Sequence, residues 1–203
     1  MGPAIDRIET DSAIPPRVEV VVIGGGIIGA STALFLAEQG LPVGLCEKGE
    51  IAGEQSSRNW GWVRKMGRDP REIPLIIESL RLWQGLNHRV GAETGFRTSG
   101  ILFAAETEAE EARHEAWLEH ARPYQLDCQR IGAAEMAALL PGAARPFRGG
   151  LYTASDGRAE PQKATPAIAA AAARRHGAAL LANCAVRGIE TAAGRVAAVV
   201  TER

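Results

Sequence analysis

Three consecutive glycines and a fourth three residues on, Gly24-Gly25-Gly26-Ile27-Ile28-Gly29, stand between a β-branched apolar run and an alanine- and leucine-rich stretch. The pattern G-x-G-x-x-G is weak alone. It constrains the fold when a strand precedes it and a helix follows. Val18 to Ile23 (VEVVVI) reads as a strand buried on both faces, as in a parallel sheet. Ile27 to Gln39 reads as a helix that Gly40 stops. Pro42 to Cys46 reads as a second strand, and Glu47 follows it. This is a βαβ unit of about thirty residues. The fold class is therefore α/β, with a parallel sheet and a Rossmann-like dinucleotide-binding domain.

Each position in the motif has a physical task. Gly24 makes the tight turn, Gly26 lets the backbone approach a pyrophosphate, and Gly29 lets helix and strand pack closely. The helix N-terminus, with Ile28 in its first turn, offers unpaired N–H groups and a partial positive charge to phosphate. Glu47 lies 18 residues after Gly29. Its carboxylate can accept from both hydroxyls of a ribose and would repel a 2′-phosphate, which disfavours NADP. The unit does not separate FAD from NAD.

The rest of the chain narrows the class by exclusion. Of its 203 residues, 46% are hydrophobic and 23% charged, as in a globular protein. A net charge of −1 leaves no electrostatic footprint for nucleic acid. Cys46, Cys128 and Cys184 form no metal motif and no disulfide framework, which fits a reducing cytosol. Peripheral attachment at the inner face of a membrane is compatible with this, whereas no apolar run approaches the ~20 residues of a span. Residues 1–17, with Asp6, Glu9, Asp11, Pro15 and Pro16, read as a short disordered leader without signal-peptide character. Further helices are expected at Arg71 to Val90, Glu106 to Ala121, Ala133 to Leu140 and Pro161 to His176. Strands are expected at Phe96 to Ala105, Gly150 to Thr153, Ala178 to Leu181, Ala185 to Thr191 and Val196 to Thr201, the last two joined by a turn at Gly194.

After Glu47 the expected helix of a simple NAD domain is missing. Lys48-Gly49 leads instead into Ala52-Gly53-Glu54-Gln55-Ser56-Ser57-Arg58-Asn59-Trp60-Gly61, small and polar residues that can lie along an extended cofactor. Here, and again from Gly150-Leu151-Tyr152 through Asp156-Gly157-Arg158-Ala159-Glu160-Pro161 to Ala185-Val186-Arg187-Gly188-Ile189, the sequence resembles the D-amino-acid oxidase-like family of FAD-dependent oxidoreductases. That family includes glycine and sarcosine oxidases and D-amino-acid dehydrogenases. The resemblance runs from Val18 onward and is weak for the substrate. It implies FAD as cofactor, with Gly24, Gly26, Ile28 and Gly29 at the pyrophosphate and Glu47 at the adenosine ribose. Lys48 would flank the adenine. Ser56, Ser57, Arg58 and Asn59 would run along the pyrophosphate and ribityl chain, and the Val186 backbone would meet the adenine.

The implied function is oxidation of the C–N bond of an amino acid or secondary amine by hydride transfer to flavin N5. The electrons would pass to oxygen, a quinone or a carrier protein. An NAD-dependent dehydrogenase and a non-catalytic nucleotide-binding fragment are the alternatives. No residue is assigned as acid or base. Arg64 is the one candidate near the chemistry, as a charge beside the flavin or a fork for a substrate carboxylate. Trp60 and Trp62 could wall a pocket. Asp156 and Glu160 are expected to serve a turn and a helix start, and His88, His114, His120 and His176 to lie at the surface. The expected domains are an FAD-binding domain of residues 18–91 and 150–203 and a partial substrate domain of residues 92–149. Relatives continue past this point, so a C-terminally truncated chain is expected.

Overall fold

The computed structural model describes residues 4–203. In chain order its elements are β1 (Val20–Ile23), α1 (Ile27–Glu38), β2 (Val43–Cys46), β3 (Trp62–Val63), α2 (Ile73–Gln84), α3 (Leu86–Val90), β4 (Arg97–Thr98), β5 (Ile101–Ala105), α4 (Glu108–Ala121), β6 (Cys128–Gly132), α5 (Ala133–Leu139), β7 (Gly149–Thr153), β8 (Gly157–Arg158), α6 (Pro161–His176), β9 (Ala179–Leu181), β10 (Val186–Ala192) and β11 (Arg195–Thr201). The α/β class expected from the sequence is present. Two compact units divide the chain. The first is Met1–Gly61, Leu86–Gly95 and Glu160–Arg203; the second is Trp62–Gly85 and Phe96–Ala159. These boundaries differ from the expected ones at 62–85, 92–95 and 150–159. Backbone pairing is the reason: β8 joins β3 to β4, and β7 lies between β5 and β6.

In the first unit β1, β2 and β9 form a parallel sheet in that order. Every residue of β2 is buried. The expectation that β1 is buried on both faces is corrected: only Val22 of β1 is buried, and Ile23 is 55% exposed. Among the described residues β1 has one strand neighbour, so one side of it is an edge. Helix α1 buries Ala30, Ala33, Leu34 and Ala37 and packs against α6. Small side chains on both helices allow that close approach. Helix α6 is buried without interruption from Ala164 to Ala172, which explains a composition with no polar face over that stretch. Its exposed end carries Arg174, Arg175 and His176, cations suited to a helix C-terminus. Gly177 closes it in the left-handed conformation at φ 73. The β10–β11 hairpin turns at Ala193 and Gly194, both at positive φ.

Residues 4–17, expected to be disordered, contain no helix or strand but are tied down. Pro166 inside α6 has no N–H to give the Gln162 carbonyl one turn earlier. The Asp6 N–H donates to that carbonyl at 3.2 Å. Further on, the Asp11 N–H donates to Leu180 O at 2.7 Å, and the Asp11 carboxylate accepts from Leu180 N–H at 2.8 Å. The first three residues of the expected leader lie outside the described residues.

The second unit contains two three-stranded antiparallel sheets, β3-β8-β4 and β5-β7-β6. Met66, Ile101, Leu118 and Leu151 form a core cluster. The long helix expected from Arg71 to Val90 is divided: α2 ends at the Gly85 cap and α3 starts at Leu86. The strand expected from Phe96 to Ala105 is likewise two strands, interrupted at Gly100 with φ 70. Strands β3, β6 and β8 escaped the sequence reading. Two of them are only two residues long and carry no alternation to read.

Candidate functional site

The glycine motif folds as its spacing requires. Gly24 leaves β1 at φ 109, a conformation favouring glycine. A Cβ on Gly29 would lie 1.9 Å from the Gly24 carbonyl oxygen, so strand and helix meet only because Gly29 has none. A Cβ on Gly26 would stand 2.9 Å from Ser56 Oγ. Gly25 occupies a variable position of the motif, yet it is equally constrained. Its added Cβ would fall 2.6 Å from Ile51 Cδ1 and 2.9 Å from Glu47 Cβ. The motif alone could not reveal this, because the obstructing side chains come from later in the chain.

The intrahelical ladder of α1 begins at the Ala30 N–H, which donates to Gly26 O at 2.9 Å. The Ile27 N–H donates to Ser56 Oγ at 2.8 Å, a cap supplied from 29 residues away. The N–H groups of Ile28 and Gly29 have no carbonyl four residues back to bond within the helix. No acidic side chain lies in that first turn. Ser56 accepts from Ile27, which leaves its own hydroxyl proton available as a donor. This is the chemistry of a pyrophosphate seat: N–H donors, a hydroxyl and the positive end of a helix.

Glu47 follows β2 and is 9% exposed. Its Oε2 accepts the Gly25 N–H at 2.7 Å and its Oε1 the Gly49 N–H at 2.8 Å. Its backbone N–H donates to Leu181 O, and its carbonyl accepts from the Cys184 N–H, both at 2.8 Å. An ionised carboxylate has about four acceptor sites, so two remain for ribose hydroxyls. Gly49 and Cys184 were not foreseen as partners, and the sequence held no signal for them.

The other expected contacts divide by what their side chains do. Ser57 is buried and donates to Glu54 O at 3.2 Å. Arg58 is exposed, paired with Glu54 at 3.2 Å and with Gly53 O at 2.9 Å. Asn59 donates to Gln55 O and Ser56 O and accepts from the Gly61 N–H at 2.8 Å. All three therefore shape the 53–61 segment itself, whereas Ser56 reaches the motif. Lys48 is exposed. Val186 packs against a cluster of Cys46, Leu181 and Cys184 at the start of β10.

In the second unit Arg64 follows β3. Its guanidinium lies 5.3 Å from the Trp62 ring centroid and 5.1 Å from that of Phe103, and it donates to Met66 O. Burial, then the nearby Arg68, lowers its pKa below the usual arginine value. Arg68 pairs with Glu72 at 2.7 Å, but its Nε is buried without a hydrogen-bond partner among the described residues. Asp156 is fully buried, unlike an ordinary turn aspartate. Its Oδ1 accepts the Lys65 N–H at 2.8 Å and its Oδ2 the Met66 N–H at 3.1 Å. Glu160 stands before α6 but makes no side-chain cap, and pairs instead with Lys163 at 2.8 Å. His114 is half-buried, its ring 6.3 Å from Phe103, rather than a plain surface residue.

A glycine cradle at a helix N-terminus, with an oriented carboxylate after the next parallel strand, defines a dinucleotide-binding protein of the Rossmann-like class. Residues 19–203 match the family of FAD dependent oxidoreductases designated DAO, and the chain belongs to that family. The family's cofactor is FAD, which sets the NAD alternative aside. The fold is similar to that of L-amino acid deaminase from Proteus myxofaciens, with a TM-score of 0.91 and 36% identity, covering 99% of this chain and 46% of that one. Sarcosine oxidase subunit beta of Rhizobium meliloti is 28% identical over 195 residues, 93% of this chain and 47% of its own length. Glycine oxidase of Geobacillus kaustophilus is 30% identical over 168 residues, 77% of this chain and 44% of its own. The chain thus spans about half the length of these relatives. Among the described residues no helix is long and apolar enough to cross a membrane.

Proposed function

We propose that this chain binds FAD and contributes to oxidising the C–N bond of an amino acid or secondary amine. The observation that carries the reading is the cradle: Gly24, Gly26 and Gly29 open the α1 N-terminus, Ser56 caps it, and Gly25 and Gly49 orient the Glu47 carboxylate. Ile28 and Gly29 donate to the pyrophosphate, and Glu47 accepts from the adenosine ribose. Lys48 and the Val186 backbone flank the adenine. Ser57, Arg58 and Asn59 hold the 53–61 segment that continues along the cofactor. When bound, the flavin supplies the hydride acceptor at N5 as the substrate C=N bond forms. Water then hydrolyses the released imine.

Arg64 holds the carboxylate of an amino-acid substrate. A planar guanidinium suits bidentate carboxylate binding. The adjacent Arg68, with its unpartnered Nε, adds to the demand for an anion. With FAD bound, the electrons taken from the substrate would leave to oxygen or to a quinone or carrier protein. The same reading puts the chain in a reducing cytosol, in keeping with three thiols that form no disulfide.

The test is the absorbance spectrum of the chain after incubation with FAD and desalting. A retained flavin band, lost in Gly26→Val and Glu47→Arg, is the expected result. No band in the wild type would overturn FAD binding by this chain. With flavin retained, an anaerobic amino-acid screen for bleaching of the band separates an oxidoreductase from a protein that only holds the nucleotide.

A further inference from the structure

The strand β3 is two residues long and pairs β8 only at Trp62 and Val63, so among the described residues no strand ladder continues into the chain after it. Yet residues 64–67 hold a defined course, with Gly67 at φ 66. The Asp156 carboxylate supplies the missing ladder. It is fully buried, and its two oxygens take the successive N–H groups of Lys65 and Met66. The Lys65 ammonium folds back over it at 3.5 Å, stands 3.7 Å from the Asp127 carboxylate, and donates to the Ser155 hydroxyl. Asp127 in turn accepts from the Ser155 N–H at 2.8 Å. The Asp156 carbonyl accepts from the Gly100 N–H at 2.9 Å, which anchors the aspartate from its other side. Met66, held by Asp156 through its N–H, offers its carbonyl to the Arg64 guanidinium. A continuous chain of bonds thus runs from Asp156 through the 65–66 backbone to Arg64.

We infer that Asp156 is the positioning residue for Arg64, holding its guanidinium against Trp62 and Phe103 as a fixed cation. A buried carboxylate is costly unless ion-paired and hydrogen-bonded. Asp156 has both kinds of partner, and burial still pushes its pKa up against the pull of Lys65. In the same turn the Ser155 hydroxyl answers the Lys65 ammonium, whereas the Asp156 carboxylate takes the 65–66 amides and through Met66 reaches the arginine. Its task is the direction of that arginine, and the inference rests on reading Arg64 as the partner of a substrate carboxylate.

The test uses the full chain labelled with 15N-arginine. The Arg64 Nε–H signal is assigned by its loss in Arg64→Lys. Ring currents from Trp62 and Phe103 should shift it away from the bulk arginine signals. In Asp156→Ala the signal should move to the bulk position, because the Met66 carbonyl that holds the guanidinium through Nη1 is released. In Asp156→Asn, which keeps one acceptor, it should move part of the way. Circular dichroism checks that the variants fold. A folded Asp156→Ala with an unmoved Arg64 signal overturns the inference. If the alanine variant does not fold, an unmoved signal in Asp156→Asn does so. Titration with benzoate separates the premise. An Arg64 signal that follows Asp156 but ignores benzoate at tens of millimolar would keep the positioning role and remove the carboxylate reading.

Discussion

At the scale of single residues, the cost of adding a Cβ distinguishes the glycines. At Gly29 it would meet the Gly24 carbonyl oxygen at 1.9 Å, a backbone atom that cannot rotate away. At Gly40 it would meet nothing within 4 Å, and only the positive φ of 81 resists it. Gly29→Ala should therefore cost about 3 kcal/mol, at the upper end of overpacking effects, whereas Gly40→Ala should cost about 1 kcal/mol. Paired thermal melts check the difference. Flavin retention should disappear only in Gly29→Ala, since Gly40 lies at the far end of α1. Equal melting temperatures would mean that strand and helix do not meet at Gly29 as described.

At the scale of elements, two helices take bonds from distant segments. The first turn of α1 lacks a cap of its own, because Gly26 has no side chain. Ser56 supplies it, so Ser56→Ala should destabilise the chain by about 1 kcal/mol, as other lost N-caps do. Urea unfolding measures this. A midpoint unchanged from the wild type would show that the Ile27 N–H finds another partner. Helix α6 is interrupted in its bonding by Pro166, and the Asp6 N–H takes the carbonyl left over. A proline that would ordinarily weaken a helix interior here creates the acceptor that tethers residues from the N-terminal segment.

At the scale of the whole molecule, His114 links folding to pH near neutrality. His114 on α4 is half-buried near Phe103, and burial holds its pKa below the usual imidazole value. Glu110 and Glu111 pull the other way, and Arg113 and Arg130 add to the lowering. The unfolded chain takes up this proton near pH 6.5, before the folded chain does. Stability from this site is therefore full above about pH 6.5 and falls as the pH drops towards the folded pKa. The urea midpoint should be lower at pH 5.5 than at pH 7.5, and His114→Gln should reduce that difference. An identical pH response in the variant would assign the effect elsewhere. The carboxylates held below their usual range, Asp69, Glu78, Glu110 and Asp127, act in a more acidic window, and Asp156, pushed up by burial, works in the opposite direction, so the comparison with His114→Gln isolates the histidine.

What could be read from the sequence was what adjacent residues encode. Glycine spacing, a β-branched run and an alanine-rich period announce the βαβ unit, the helix at Pro161–His176 and the acid after β2, because each depends on neighbours within a turn or along a strand. Family resemblance added FAD. Tertiary structure decided which groups meet. It placed Ser56 on the Ile27 N–H and put Gly25 and Gly49 on the Glu47 carboxylate. It also assigned Ser57, Arg58 and Asn59 to the folding of their own segment and joined Asp156 to Lys65, 91 residues earlier. A buried carboxylate and a turn carboxylate are the same letter in a sequence. Only the packing around Asp156 buries it fully and leaves its oxygens, among the described residues, the amides and the ammonium that the fold brings to them.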